Sequence, residues 1–133
     1  MDIAERISQM SYAKRLQVGS VIVKGNTILS YGWNGMPTSW ENICEIELEG
    51  GELKTKPEVL HAETNAIAKV ARSTESSEGA TLFCTHAPCI DCAKLIYQAG
   101  IETVYYKETY RSEDGLNFLR KSGINVHQYT DRT

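Results

Sequence analysis

Ala80-Thr81-Leu82-Phe83-Cys84-Thr85, then Pro88-Cys89-Ile90-Asp91-Cys92 running on to Gln98, then Ile101-Glu102-Thr103-Val104-Tyr105-Tyr106 form the stretch that decides the fold. The two outer runs are rich in β-branched and aromatic residues and read as strands. Cys89 to Gln98 reads as a helix, ended by Gly100. Strand, helix and strand in this order predict a parallel pair joined by a right-handed crossover. The grammar continues downstream, with a helix around Leu116 and Leu119, closed by Gly123, and a last strand from Ile124 to Tyr129.

Upstream, Ile3, Ile7, Met10 and Lys14 follow helical spacing, and Asp2 with Glu5 resembles a capping pair, which predicts a helix over 2–15. Val18 to Val23 is nearly continuous in β-branched residues, as in a strand buried on both faces. Gly25-Asn26 turns the chain into Thr27 to Trp33, so these two strands are expected to be antiparallel. Gly35 to Leu60 shows no sustained periodicity and holds Glu41, Glu45, Glu47, Glu49, Glu52 and Glu58. Such a stretch is either a binding lid or a solvated insertion. Beyond it, Ala62, Ala66, Ile67, Val70 and Ala71 mark one face of a second helix. The order α-β-β-α-β-α-β-α-β predicts a three-layer α/β/α fold with a mixed five-stranded sheet, in one domain over 1–133.

Composition narrows the functional classes. The chain has 133 residues, 41% hydrophobic and 23% charged, with a formal net charge of −3. That balance gives no basic footprint for a nucleic-acid polymer, although a small phosphate needs only one or two local cations. No apolar run reaches the roughly 20 residues of a membrane span. Met1-Asp2-Ile3-Ala4-Glu5-Arg6 lacks the basic start of a secretory signal, so the expected location is the cytoplasm. In that compartment the four cysteines point to metal binding or catalysis rather than to disulfides.

Chemistry concentrates at two predicted helix starts, His61-Ala62-Glu63 and Pro88-Cys89-Ile90-Asp91-Cys92. Cys89 and Cys92, three apart, share a helix face, and Pro88 suits a helix start because it needs no N–H there. Helix N-termini favour thiolates. Two thiolates and one imidazole make the three-ligand set of a catalytic zinc, which leaves a fourth position for water. His61 and Glu63, two apart, diverge in a regular helix, but the constraint relaxes where the chain enters it. A redox dithiol, or a closed structural site completed by His86, Cys44 or Cys84, is the alternative use of these residues.

His61-Ala62-Glu63-Thr64-Asn65-Ala66-Ile67 and Ala87-Pro88-Cys89-Ile90-Asp91-Cys92-Ala93-Lys94 resemble the deoxycytidylate deaminase family within the zinc-dependent cytidine deaminases. So do Gln17 to Val23, Gly32-Trp33-Asn34-Gly35-Met36-Pro37 and Glu108-Thr109-Tyr110. The resemblance implies a cytidine-deaminase-like fold and hydrolytic deamination of dCMP to dUMP and ammonia by zinc-bound hydroxide. It makes His61, Cys89 and Cys92 the zinc ligands, one Zn²⁺ per chain, with Glu63 as proton shuttle. Asn34 matches a nucleoside contact and Tyr110 a phosphate contact; Arg15 and Ala62 complete the expected substrate-binding set. A homohexamer, activation by dCTP, inhibition by dTTP and Mg²⁺ at the effector triphosphate are further implications, with Lys24 and Gly35 as candidate effector contacts. Cys84 is expected to be a core thiol, His86 a rim residue and His127 structural. The competing readings are a dual dCMP/dCTP deaminase, a nucleic-acid base deaminase and a structural zinc module.

Overall fold

The computed structural model describes residues 1–130; the last three residues of the expected 1–133 domain lie outside the described residues. The chain runs α1 (Asp2–Ser8), β1 (Gly19–Lys24), β2 (Thr27–Trp33), β3 (Glu45–Glu47), β4 (Leu53–Thr55) and α2 (Ala62–Ala71). It continues through β5 (Thr81–His86), α3 (Ile90–Gln98), β6 (Thr103–Glu108), α4 (Asp114–Lys121) and β7 (Asn125–Gln128). Five strands form one mixed sheet in the order β2-β1-β5-β6-β7. β1 is antiparallel to β2 and β5, whereas β5–β6 and β6–β7 are parallel, as the strand-helix-strand pattern requires.

Alternation along the strands separates the two helical layers. Leu82, Cys84 and Val104 point into a core shared with Ala66, Ile67 and Val70 of α2, Ala93 and Ile96 of α3, and Leu119 of α4. Fully buried side chains such as Leu82 and Ile96 each contribute about 1.5–3 kcal/mol of transfer free energy. Lys107, on the opposite side of β6 from Tyr106, bonds Glu5 of α1 at 2.5 Å, so α1 covers the other face. The result is the three-layer α/β/α architecture. Among the described residues no helix is long and apolar enough to cross a membrane.

Three expectations need correction. The first helix ends at Ser8 rather than near residue 15. Beyond it, side-chain acceptors outcompete helical bonding: the Ser11 hydroxyl, two residues back, takes the Ala13 N–H, and the distant Glu45 carboxylate takes those of Lys14 and Arg15. The segment expected to be irregular contains the β3–β4 hairpin, whose three-residue strands are too short to show a period. Its ends meet where Gly35 and Leu60 exchange backbone hydrogen bonds of 3.0 and 2.8 Å. Finally, α3 starts at Ile90 with Cys89 as its N-cap, so Pro88 precedes the helix rather than opening it.

Helix α2 is docked by polar contacts to β1 and β2. Ser20 Oγ donates to the Ala62 carbonyl at 2.8 Å, Ser30 Oγ to Ala66 at 2.7 Å, and Asn65 Nδ2 to the Trp33 carbonyl at 2.8 Å. Gly32 permits this approach, since a Cβ there would stand 2.3 Å from the Ala62 oxygen and 2.7 Å from the Ala66 nitrogen. Gly32→Ala is therefore expected to destabilise the protein by about 2–3 kcal/mol in urea unfolding. Gly35→Ala, whose Cβ would meet nothing nearer than 3.9 Å, should change stability by less than about 1 kcal/mol. Equal losses would contradict the close-docking account.

Candidate active site

Two helix N-termini converge at one edge of the sheet. His61 is the N-cap of α2 with extended backbone (φ −79°, ψ 154°), and Glu63 lies one residue inside the helix. The break at the cap allows both side chains, two apart in sequence, to reach one place. Cys89 caps α3 in the same extended state (φ −70°, ψ 169°), and Cys92 sits one turn in. Behind it, α4 approaches so closely that a Cβ on Gly115 would be 2.1 Å from the Pro88 carbonyl oxygen. The capping loop is thereby pinned between two helices.

His61 Nδ1 lies 3.1 Å from Cys92 Sγ and 3.6 Å from Cys89 Sγ. The donor atoms of these three residues all lie within 4.8 Å of one another. Zinc–nitrogen and zinc–sulfur bond lengths place such donors about 3.5 Å apart on a tetrahedron, so the set fits zinc. Among the described residues no further His, Cys, Asp or Glu joins this group. Cys44 instead packs with Ala13 and Val59, Cys84 is fully buried in the core, and His86 Nδ1 lies 2.9 Å from the Thr85 hydroxyl. Three protein donors leave one tetrahedral position for a small ligand.

The charges are coupled. The Cys92 thiol, hydrogen-bonded to Cys89, pulls the Cys89 thiol down to about 4, and His61 adds to the effect. The same contact pushes the Cys92 thiol up. Cys89 in turn raises His61, chiefly by hydrogen bonding. Glu63 is 4% exposed, and burial raises its carboxyl above the ordinary range. A carboxyl in that state takes up a proton more readily than an exposed one, as a proton carrier must. Burial also pushes the Cys84 thiol well up, and the neighbouring Glu63 carboxyl adds to the effect.

A cavity of about 300 Å³ opens above these groups. His61, Ala62, Glu63 and Cys89 line it, as do Asn34, Arg15 and Tyr110, so four expected substrate contacts share a space with the candidate metal donors. Asn34 Oδ1 accepts from the Val18 N–H and Nδ2 donates to the Leu16 carbonyl, both at 2.8 Å. It thus anchors the loop before β1, and each amide atom keeps one further bonding position for a ligand. Lys24 and Gly35 do not line the cavity and are not brought together: Lys24 ends β1 beside the hairpin turn, whereas Gly35 lies past the far end of β2. His127, on the last strand β7, packs against Tyr105 of β6 at 5.2 Å between rings.

Two charged lining residues, Glu45 and Arg111, escaped sequence reasoning. Glu45 was one of six glutamates in an acidic run, with nothing local to mark it as buried. Arg111 follows Tyr110 directly, and adjacency to a candidate contact was the one available signal.

A model of the cytidine and deoxycytidylate deaminase zinc-binding region matches residues 1–108. The chain belongs to this deaminase family. It is 34% identical to the deoxycytidylate deaminase of Enterobacteria phage T4, over 95% of this chain and 86% of that protein. It is 36% identical to the human deoxycytidylate deaminase, over 90% of this chain and 69% of that one. The crystal structure of the dCMP deaminase from cyanophage S-TIM5, in complex with dCMP and dUMP, superposes with a TM-score of 0.89. That protein is 49% identical, with 96% of this chain and 92% of that chain covered.

Cys92→Ala should reduce zinc, measured by atomic spectrometry, from about one per chain to under about a tenth, and full retention would remove Cys92 from the ligand set. Metal-free His61 and Cys92 hold their protons tightly, and zinc must displace them. Competition with a chelator should therefore show zinc bound more tightly at about pH 8 than at about pH 6; the reverse order would contradict the assignment.

Proposed function

We propose that this chain is a zinc-dependent deaminase that hydrolyses dCMP to dUMP and ammonia. The observation that carries the reading is a buried carboxylate beside a His-Cys-Cys donor set, beneath a cavity bordered by two arginines. Similarity to a dCMP deaminase complexed with dCMP and dUMP supports the choice of substrate.

Zinc held by His61, Cys89 and Cys92, one ion per chain, would supply an acidified water as the nucleophile for C4 of the cytosine. Glu63 would carry one proton of the attacking water to N3, then take the other from the new C4 hydroxyl and pass it to the departing amine. One water enters and one ammonia leaves. Ala62 and Asn34 face the nucleoside, while Tyr110, Arg15 and Arg111 are assigned to the phosphate. The segment 35–60 acts as a lid over the cavity. A net charge of −3, together with the acidic segment, favours a mononucleotide over a polymer.

Regulation by dCTP and dTTP with Mg²⁺, a homohexameric assembly and a cytoplasmic location extend the reading on the family resemblance. Assays with each triphosphate present test the regulation. Offered dCMP, dCTP, cytidine and adenosine-containing RNA, the zinc-loaded protein should release ammonia most rapidly from dCMP. Glu63→Gln should keep its zinc and lose roughly 10³-fold in kcat. Near-normal kcat in that variant would remove Glu63 from the chemistry, and no ammonia from any nucleotide would favour a structural zinc module.

A further inference from the structure

Glu45 is out of keeping with its surroundings. Every other residue of the β3–β4 hairpin is exposed, yet Glu45 is 8% exposed. A carboxylate in such a place needs strong hydrogen bonds. One oxygen supplies them: Oε2 accepts the backbone N–H of Lys14 at 2.8 Å and of Arg15 at 3.0 Å. The neighbouring Cys44, 1% exposed, packs with Ala13, just before Lys14, and with Val59, beyond the hairpin. Across the ladder, Thr55 pairs with Glu45, and its hydroxyl accepts from Arg15 Nη1 at 3.2 Å. The hairpin therefore grips Arg15 by its backbone and by its guanidinium.

Arg15, Glu45, Thr55 and Arg111 all line the cavity that holds Glu63 and Cys89. We infer that Glu45 is a positioning residue: by clasping the Lys14–Arg15 backbone it sets the Arg15 guanidinium where a nucleotide's 5′-phosphate is received. It thereby makes the cavity select a nucleoside monophosphate over the free nucleoside. This inference rests on the deaminase reading for its substrate. In chemical terms a buried acid shapes an anion site without touching the anion. Backbone N–H groups neutralise its charge on one side, and Arg15 presents its own on the other.

Binding of the product separates this claim from turnover. Calorimetry with dUMP and deoxyuridine reads the phosphate contribution in wild type, Glu45→Ala, Glu45→Gln, Arg15→Ala and the Glu45→Ala/Arg15→Ala pair. Glu45→Ala should weaken dUMP roughly tenfold or more while deoxyuridine stays within about threefold. Glu45→Gln keeps a carbonyl that accepts both N–H groups, so its dUMP affinity should stay within about threefold of wild type. In the Arg15→Ala background, removing Glu45 should add little, because the two act as one unit. With dCMP as substrate, Glu45→Ala should raise KM and leave kcat within about threefold. Equal weakening of dUMP and deoxyuridine, or additive losses in the pair, would overturn the inference and make Glu45 a merely structural anchor. Should wild type bind dUMP in this pattern but fail to deaminate dCMP, the deaminase reading falls and the positioning role stands.

Discussion

The Ser20 hydroxyl reaches the carbonyl of Ala62, Ser30 reaches that of Ala66, and Asn65 reaches back to the carbonyl of Trp33. These three bonds hold the first turns of α2 against the β1–β2 hairpin at a separation that excludes any side chain at position 32. The directions of His61 and Glu63 follow from where that turn lies. His61, just outside the helix, and Glu63, just inside it, inherit their directions from a backbone fixed by hydrogen bonds rather than by apolar packing alone. Hydrogen bonds carry direction and close contact carries distance, and two side chains aimed at one point need both.

Helix α3 brings the matching half by a different route. Its N-cap is a cysteine where serine or aspartate would be the usual choice. The cap position puts Cys89 at the positive end of the helix, and the Cys92 thiol one turn on stabilises its thiolate. Against this negative charge, Glu63 is buried and its carboxyl raised. The two effects are linked: the thiolate is one of the groups that keep the carboxyl's proton affinity high. The fold thus sets a thiolate and a carboxyl side by side with opposed acidities, which suits them to the separate metal-holding and proton-carrying roles proposed for them.

The mixed sheet with its parallel strand-helix-strand units and the His61-Cys89-Cys92 cluster were legible because they rest on local signals. A strand, a helix and a strand leave few topological choices, and Cys89 and Cys92 at helical spacing share a face whatever packs around them. The end of α1 was illegible for the opposite reason. Its periodicity runs on to Lys14, but the N–H groups of Lys14 and Arg15 are taken by a carboxylate 30 residues and more away. The β3–β4 hairpin, with three residues per strand, is shorter than the window in which alternation can be read. Glu45 stayed hidden because burial of one glutamate among six is decided by tertiary contacts. Asn34, expected from its sequence context to contact the ligand, anchors Leu16 and Val18 in the structure, a task set by tertiary contacts.

If His61, Cys89 and Cys92 hold one zinc ion as proposed, one coordination position stays open beside Glu63. X-ray absorption at the zinc edge of the purified protein reads that coordination sphere directly. Two sulfur neighbours at about 2.3 Å and two nitrogen or oxygen neighbours at about 2.0–2.1 Å, one of them not an imidazole, are the expected result. Three or four sulfur neighbours, or two imidazoles completing a closed sphere, would contradict the account and turn the site into a structural one.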